Sequence, residues 1–253
     1  MTNIVAIKKE KHQKLTVSKQ RTLAHTSEQH IAPITAVEFS QAAANFPVVI
    51  VKVPESDRYR SVVMLGLETG ENLFYSDDLW QALYVPQGLA MEPFVLGLDP
   101  EEEKTLTACV NLNSPFIGED KELALFDDKG EESEVLKNIH KSLGSLYDGE
   151  VLTDKFITEL RENDLLQELE LNINMATGEN KKLVGIFSIN EEKLQKLSDE
   201  KVLDFYKRGF FIPIYAMLGS VSQINRLVQL RNKQSDNKIN GIQINPIKVE
   251  DKK

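Results

Sequence analysis

The chain has 253 residues, of which 41% are hydrophobic and 27% are charged, and its formal net charge at pH 7 is −9. This composition is typical of globular proteins and excludes the collagen-like, disordered and disulfide-rich classes. A single cysteine excludes an intrachain disulfide, so we expect a cytoplasmic protein, with export to the cell surface without a cleaved signal as the alternative.

The charge is unevenly distributed along the chain. Residues 1–24 carry a net charge of +5 and residues 232–253 a net charge of +2, which leaves −16 for residues 25–231. An acidic body repels phosphate backbones, so we predict no nucleic-acid partner. The longest apolar stretch, residues 210–221, is too short to cross a bilayer, so we predict no membrane span.

The first elements are a capped helix and a hairpin. In TAVEF, residues 35–39, Thr35 is placed as the N-cap and Glu38 three residues later can return its hydrogen bond. The β-branched runs VVIVKV (48–53) and SVVMLGL (61–67) flank a polar turn, which predicts a β-hairpin.

Two short helices are expected next. Ser76, Asp77 and Asp78 can cap a helix that carries Leu79, Trp80 and Leu83. Pro86 suits the first turn of another helix, which Pro93 should end before the strand FVLGL.

The second half of the chain has a helical period. Apolar residues recur at helical spacing from residue 136 to residue 160 and, after one break in that spacing, at residues 166 and 169. They are Leu136, Ile139, Leu143, Leu146, Leu152, Phe156, Leu160, Leu166 and Leu169. A second hairpin, residues 169–175 with 182–189, comes next. A long amphipathic helix follows, and past Gln234 the sequence becomes polar; the apolar stripe of this helix consists of Ile214, Met217, Leu218, Val221, Ile224 and Val228.

These elements predict an α+β fold, in which a largely antiparallel, β-rich N-terminal half packs with a helical C-terminal half that contains the second hairpin. We expect a basic arm at 1–24, a single domain at 25–234 and a polar tail at 235–253. A boundary near residue 131, where strands give way to helices, is the alternative division of that domain.

Residues 70–94, GENLFYSDDLWQALYVPQGLAMEPF, concentrate aromatic side chains around the only tryptophan. Tyrosine and tryptophan combine a large apolar body with a polar tip, which suits binding pockets and protein interfaces. The predicted binding surface consists of Phe74, Tyr75, Trp80, Tyr84, Pro86 and Phe94. The alternative is that this stretch packs on a sheet, anchored by Leu79, Leu83 and Leu89.

No pattern typical of catalysis or metal binding is present: the chain has no GxGxxG, phosphate loop, GxSxG or HExxH. His25 and His30 would project about 140° apart on a helix and cannot converge on a metal. Cys109 lies in an apolar strand, and the acidic runs 99–103 and 127–134 lack calcium-loop spacing. We therefore predict no catalytic residue, no metal site and no cofactor, and favour a protein that is not an enzyme.

Three blocks of the sequence resemble, in order, the bacterial SapC family. They are HIAPITAVEFSQAAANFPVVIVK, VVMLGLETGENLFYSDDLWQALYVPQGLAMEPF and LVGIFSINEEKLQKLSDEKVLDFYKRGFFIPIYAMLGSVSQINRL, within residues 30–230. The GENLF…W…YVP…PF block is the most specific. Family members often carry basic residues before the final Pro-Phe, where this chain has Ala90, Met91 and Glu92.

The resemblance implies an association with a paracrystalline surface layer, after which the family is named, and supplies no catalytic residue. Family members are also often encoded near outer-membrane receptors and halogenase-like flavoproteins, which implies an accessory role in nutrient uptake. Our leading hypothesis is a non-enzymatic accessory protein that recognises a protein or a small molecule through the aromatic surface. The alternatives are a surface-layer structural component and a companion subunit of an oxidoreductase or uptake system.

Overall fold

A computed structural model of the chain describes residues 3–98 and 105–247, so the acidic run at 99–103 lies outside the described residues. The strands are β1 (Ile4–Ala6), β2 (Thr16–Val17), β3 (Ile31–Pro33), β4 (Val48–Lys52), β5 (Tyr59–Met64), β6 (Tyr75–Ser76), β7 (Leu79–Trp80), β8 (Phe94–Leu98), β9 (Leu106–Asn111), β10 (Ile117–Gly118), β11 (Leu123–Ala124), β12 (Leu166–Met175), β13 (Asn180–Ile189) and β14 (Ile239–Pro246). The α-helices are α1 (Lys9–His12), α2 (Phe39–Ala42), α3 (Gln87–Ala90), α4 (Glu134–Glu162), α5 (Glu191–Leu194), α6 (Asp199–Lys207), α7 (Phe211–Ser220) and α8 (Ile224–Gln234). The predicted α+β class is confirmed.

The chain divides into two compact units that are both discontinuous in sequence. Unit 1 comprises Met1–Leu23 and Gln87–Gly149, and unit 2 comprises Ala24–Pro86 and Glu150–Lys253. The chain therefore passes between the units three times. One of these passages lies within α4, and none lies near residue 131.

Unit 1 contains two three-stranded sheets, with strand orders β1-β9-β8 and β10-β2-β11. Its core joins these strands to the first turns of α4, which supply three apolar side chains at helical spacing. The buried core residues are Val17, Phe94, Ala108, Val110, Ile117, Leu125, Phe126, Leu136, Ile139 and Leu143.

Unit 2 is built on a six-stranded antiparallel sheet of order β14-β12-β13-β4-β5-β3. Both predicted hairpins are present: β4 pairs with β5 from Val48–Val63 to Lys52–Tyr59, and β12 pairs with β13. Edge-to-face contacts between buried rings join α4 to other helices of the unit. Phe156 of α4 lies 6.0 Å from Phe39 and 5.4 Å from Phe210, between ring centroids.

Both ends of the described chain contribute strands where the composition predicts a basic arm and a polar tail. β1 pairs with β9, and β14 pairs with β12. The tail forms a strand because Ile242 and Ile244 alternate with polar residues and lie opposite the buried Ile173 and Leu171.

The helix α4 also ends before Leu166 and Leu169, which the apolar spacing predicts to be helical. α4 is continuous over 29 residues, but Asp164 has a positive φ of 55° and the chain leaves the helix there. Leu166 and Leu169 lie in β12. Short apolar runs fit a helix or a strand equally well, which explains the wrong assignment.

A buried arginine fixes the loop that leads into the predicted aromatic site. Arg231 of α8 is 5% exposed, and its guanidinium contacts the carboxylates of Glu71 at 2.5 Å and Glu68 at 3.2 Å. Glu71 also accepts a hydrogen bond from the backbone N–H of Leu67 at 2.8 Å. A Cβ at Gly66 would stand 2.2 Å from the Glu71 carbonyl oxygen, so only glycine permits this loop. We call Glu68, Glu71 and Arg231 the arginine clasp.

The residues after the clasp are held by further polar contacts. The Asn72 amide donates to the Thr26 carbonyl oxygen at 2.8 Å and accepts from the Phe74 backbone N–H at 2.9 Å. The Gln234 amide of α8 donates to the Leu73 carbonyl oxygen at 3.0 Å. The GENL segment of the family-like block is therefore a structural element that anchors the aromatic residues on its C-terminal side.

We expect Arg231→Met to destabilise the protein by about 3–5 kcal/mol, because it leaves the Glu71 carboxylate with little exposure and no cation. The measurement is the free energy of unfolding in urea. Arg226→Met, a half-buried arginine on the same helix, is the control and should cost less than about 1 kcal/mol. Equal losses for the two variants would contradict the structural role of the clasp.

The clasp also predicts a pH dependence. Hydrogen bonding to Lys181, together with the charges of Lys181 and Arg231, lowers the pKa of Glu68 below its ordinary value of 4.5. Stability from Glu68 is therefore present above pH 4.5 and is lost as the pH falls through the lower pKa of the folded state. We expect the stability difference between the wild type and Glu68→Gln to narrow below pH 4.5, measured by urea unfolding at each pH. A difference that stays constant would contradict this linkage.

Candidate functional site

Residues 75–80 form a tight β-hairpin. Tyr75 pairs with Trp80 and Ser76 pairs with Leu79, while Asp77 and Asp78 have φ values of 52° and 60°. Two central residues with positive φ are typical of a type I′ turn, whose twist matches that of the flanking strands. The helix predicted from Ser76, Asp77 and Asp78 is therefore wrong, and Trp80 and Tyr84 do not share a helix face.

The hairpin directs its side chains to opposite sides. Trp80 lies on the side of Tyr75 and is half-buried, whereas Leu79 points the other way and is 63% exposed. Leu83, three residues after the hairpin, is completely exposed. We call the exposed parts of Leu79, Trp80 and Leu83 the hairpin surface, although Leu79 and Trp80 lie on opposite sides of the hairpin. Two of these residues are leucines that the alternative interpretation of this stretch assigns as packing anchors.

Aromatic rings form the base of the hairpin surface. Phe46 and Phe74 are fully buried with ring centroids 4.6 Å apart, and the Trp80 ring lies 6.0 Å from Phe46 and 6.3 Å from Phe74. The Arg226 guanidinium lies 5.3 Å from the centroid of the Phe74 ring. The hairpin therefore rests on a packed aromatic cluster.

Backbone contacts fix the segment after the hairpin. The Trp80 indole N–H donates to the Tyr84 carbonyl oxygen at 2.9 Å. The backbone N–H of Leu83 donates to the side-chain oxygen of Asn45, a buried residue, at 3.1 Å. The backbone of Leu83 is thus held in place while its side chain is fully exposed.

A buried carboxylate ties Tyr84 to the start of α2. Glu38 is 2% exposed and accepts hydrogen bonds from the Thr35 N–H at 3.0 Å, the Thr35 hydroxyl at 2.8 Å and the Tyr84 hydroxyl at 2.6 Å. The predicted capping box is confirmed. Sequence reasoning missed the bond to Tyr84, because the two residues are 46 positions apart and no local pattern links them.

Two tyrosines of the predicted site have perturbed ionisation. Burial raises the pKa of Tyr84 well above its usual range, and the hydrogen bond to the Glu38 carboxylate raises it further. Burial and the nearby charge of Asp78 raise the pKa of Tyr75. Both phenols are neutral at physiological pH, and raised pKa values make them poor general bases and nucleophiles.

The structure does not bring all six predicted binding residues to one surface. Phe74 and Pro86 are buried in unit 2, where Tyr75, Trp80 and Tyr84 are half-buried. Phe94 belongs to unit 1 and is 1% exposed.

Phe94 lines a cavity of about 280 Å³ within unit 1. Its apolar wall includes Met91 and Ile139, and two cationic side chains, Lys19 and Arg21, also line it. The Arg21 guanidinium donates to the Glu92 carbonyl oxygen at 2.7 Å and lies 5.9 Å from the centre of the Phe94 ring. Arg21 thus places a positive charge next to Phe94.

Other candidate chemistry finds no support in the geometry. Across residues 3–98 and 105–247, no group of three or more His, Cys, Asp or Glu side chains could hold a metal ion. Cys109 is buried on β9, with its sulfur against Gly97. None of the helices in that part of the chain is both long and apolar enough to cross a membrane.

Comparison with known protein families identifies the family of this chain. The family model described as SapC matches residues 7–227, which is most of the chain. No curated protein and no solved structure matches the chain significantly.

We expect Tyr84→Phe to destabilise the protein by about 1.5–3 kcal/mol, because the buried Glu38 carboxylate loses a short hydrogen bond. The measurement is the free energy of urea unfolding at pH 7. Tyr206→Phe, which alters a hydroxyl on a residue of α6 that is 74% exposed, is the matched control and should be neutral. A neutral Tyr84→Phe would show that the bond to Glu38 does not secure this segment.

Proposed function

The chain belongs to the SapC family, and we propose that it is a non-enzymatic accessory protein that binds a partner protein through the hairpin surface. The observation that carries the proposal is the exposure of Leu83 and Leu79, at 100% and 63%, beside a half-buried tryptophan. Single exposed leucines are common on proteins, so the proposal rests on finding two of them within five residues together with a tryptophan, a residue type enriched at the centres of interfaces.

The support beneath these side chains favours binding. The aromatic cluster of Phe46 and Phe74, the Asn45 contact and the bond between Glu38 and Tyr84 hold the backbone in place. A surface that is already ordered loses little conformational entropy when a partner binds. Covering each leucine would contribute about 1.5–3 kcal/mol, which is enough for these residues to dominate a small interface.

The exposed leucines favour a protein over a small molecule as the partner. A completely exposed side chain projects outward and suits an apolar groove on another protein, whereas small ligands bind in concave sites. The Trp80 indole N–H is already bonded within the chain, so the hairpin surface presents apolar side chains without an unpaired donor at this position. The partner should therefore offer a largely apolar groove.

The properties of the polar groups favour a non-enzymatic role. Tyr84 and Tyr75 are neutral, and the Glu38 carboxylate is 2% exposed and engaged by Thr35 and Tyr84. These groups stabilise the hairpin. We propose a cytoplasmic location, because a single cysteine gives no sign of an oxidising compartment.

The experiment replaces the two leucines together. We expect Leu79→Ser/Leu83→Ser to fold with unchanged thermal stability and to lose capture of the partner from a lysate of the source cells. With the purified partner, the Kd should rise roughly 100-fold, which corresponds to about 3 kcal/mol. The readouts are quantitative mass spectrometry of captured proteins and isothermal titration calorimetry.

The matched control is Leu203→Ser/Ile212→Ser, which removes two leucine-sized side chains that are 52% and 66% exposed on α6 and α7. This control should bind as tightly as the wild type. Equal capture by the wild type and the hairpin variant would overturn the proposal. Growth into large ordered assemblies with calcium or concentration would favour the surface-layer alternative, and an oxidoreductase as the captured partner would favour the companion-subunit alternative.

A further inference from the structure

The six-stranded sheet of unit 2 has two very different edges. Its β3 edge is three residues long and ends in Pro33, features that protect an edge from pairing with another chain. Its β14 edge is eight residues long, contains no charged residue between Ile239 and Pro246, and carries its proline only at the last position, after seven residues without one. No strand in the described part of the chain pairs with the outer side of β14. The stretch of β14 before Pro246 lacks these protective features and is a template for strand addition.

The register shows which backbone groups face outward. The N–H of Ile247 donates to the Glu168 carbonyl oxygen, and Glu170 is aligned with Asn245 and Asn172 with Gln243. Because hydrogen-bonded and non-hydrogen-bonded pairs alternate in an antiparallel ladder, Asn245 and Gln243 direct their backbone groups towards β12. The N–H and carbonyl groups of Ile242 and Ile244 therefore point away from the sheet.

Side-chain amides occupy the ends of this strand. The Asn232 amide accepts from the Ile239 N–H at 2.7 Å and donates to the Ile239 carbonyl oxygen at 2.8 Å. The Gln167 amide donates to the Ile247 carbonyl oxygen at 2.7 Å. No such contact is described for the outward groups of Ile242 and Ile244. The Gln167 contact lies on the inner side of the strand, towards β12, so the outward groups of Ile242 and Ile244 are open.

We propose that β14 pairs in antiparallel orientation with β14 of a second copy of this chain, around a twofold axis at Gln243. The sequence is symmetric immediately around Gln243, since Ile242 and Ile244 flank it, and small or amide residues, Gly241 and Asn245, lie beyond them. Self-pairing sets Ile242 of each copy opposite Ile244 of the other. These are the residues whose backbone groups face outward, so each of the two pairs can exchange two hydrogen bonds.

The side chains fit this pairing on both faces of the sheet. Ile242 and Ile244 lie on the same face as the buried Ile173 and Leu171 but are only half-buried, because no described residue flanks them on the outer side. A second β14 would place isoleucine against isoleucine there. On the opposite face, Gln243 would meet Gln243, and no like charges would oppose each other.

The register can be tested by disulfide formation. Gln243 would face its counterpart in a non-hydrogen-bonded pair, with Cα atoms about 4.5 Å apart, which is within the range of a disulfide. We expect Gln243→Cys to give a covalent dimer on mild oxidation, detected by non-reducing electrophoresis and intact mass. Asn180→Cys, at an exposed position of β13, should remain monomeric on the gel. The native Cys109 is buried and should not interfere.

The strength of the pairing can be tested by charge. We expect the wild type to dimerise in light scattering over a micromolar to millimolar series, and Gln243→Lys to raise the dimer Kd about tenfold by placing two lysines opposite each other. Asn180→Lys is the matched control and should dimerise like the wild type. Circular dichroism verifies that each variant is folded.

Three results would overturn the inference. They are a wild type that stays monomeric across the whole series, a dimer whose Kd does not respond to Gln243→Lys, and a cross-link that forms equally well at positions 243 and 180. Retention of dimerisation by the Leu79→Ser/Leu83→Ser variant would show that the two surfaces act separately.

Discussion

A guanidinium that is almost fully buried is stable only when carboxylates neutralise its charge. For Arg231, these carboxylates come from Glu68 and Glu71, in the loop that leads into the hairpin. Glu68 and Glu71 can reach Arg231 only if the chain turns tightly at Gly66. That turn sets where Asn72 and Phe74 lie, and Phe74 carries the hairpin. The arrangement of the candidate site therefore depends on an electrostatic demand in the interior of unit 2.

Within the aromatic stretch, two kinds of residue have separate tasks. The rings of Phe46, Phe74 and Trp80 pack together and give the hairpin a fixed base. The aliphatic side chains of Leu79 and Leu83 are the ones that reach solvent. A hairpin produces this division because successive side chains point to opposite sides, so aromatic and aliphatic residues that are adjacent in sequence have different environments.

Much of the fold is readable from sequence because local signals agree with the tertiary structure, as in the capping box at Thr35 and the hairpin of β4 and β5. The site is less readable. A serine before two aspartates suits a helix N-cap and a tight turn equally well, and only packing against Phe46 and Phe74 selects the turn. The bond from Tyr84 to Glu38 and the assignment of Phe94 to unit 1 depend on contacts between distant segments. β14 is hard to recognise from sequence because asparagine and glutamine mask its alternating isoleucines.

Because the chain passes between the two units three times, the units are difficult to separate by rearrangement of the gene. Neither unit is encoded by one uninterrupted stretch, since the first joins residues 1–23 to 87–149 and the second joins 24–86 to 150–253. Cutting the gene at one point frees neither unit from residues of the other, and fusing one uninterrupted segment of a unit to another gene transfers only part of that unit. Exchanging, duplicating or losing one unit by itself would therefore require changes at more than one point in the gene, which favours keeping the two units together.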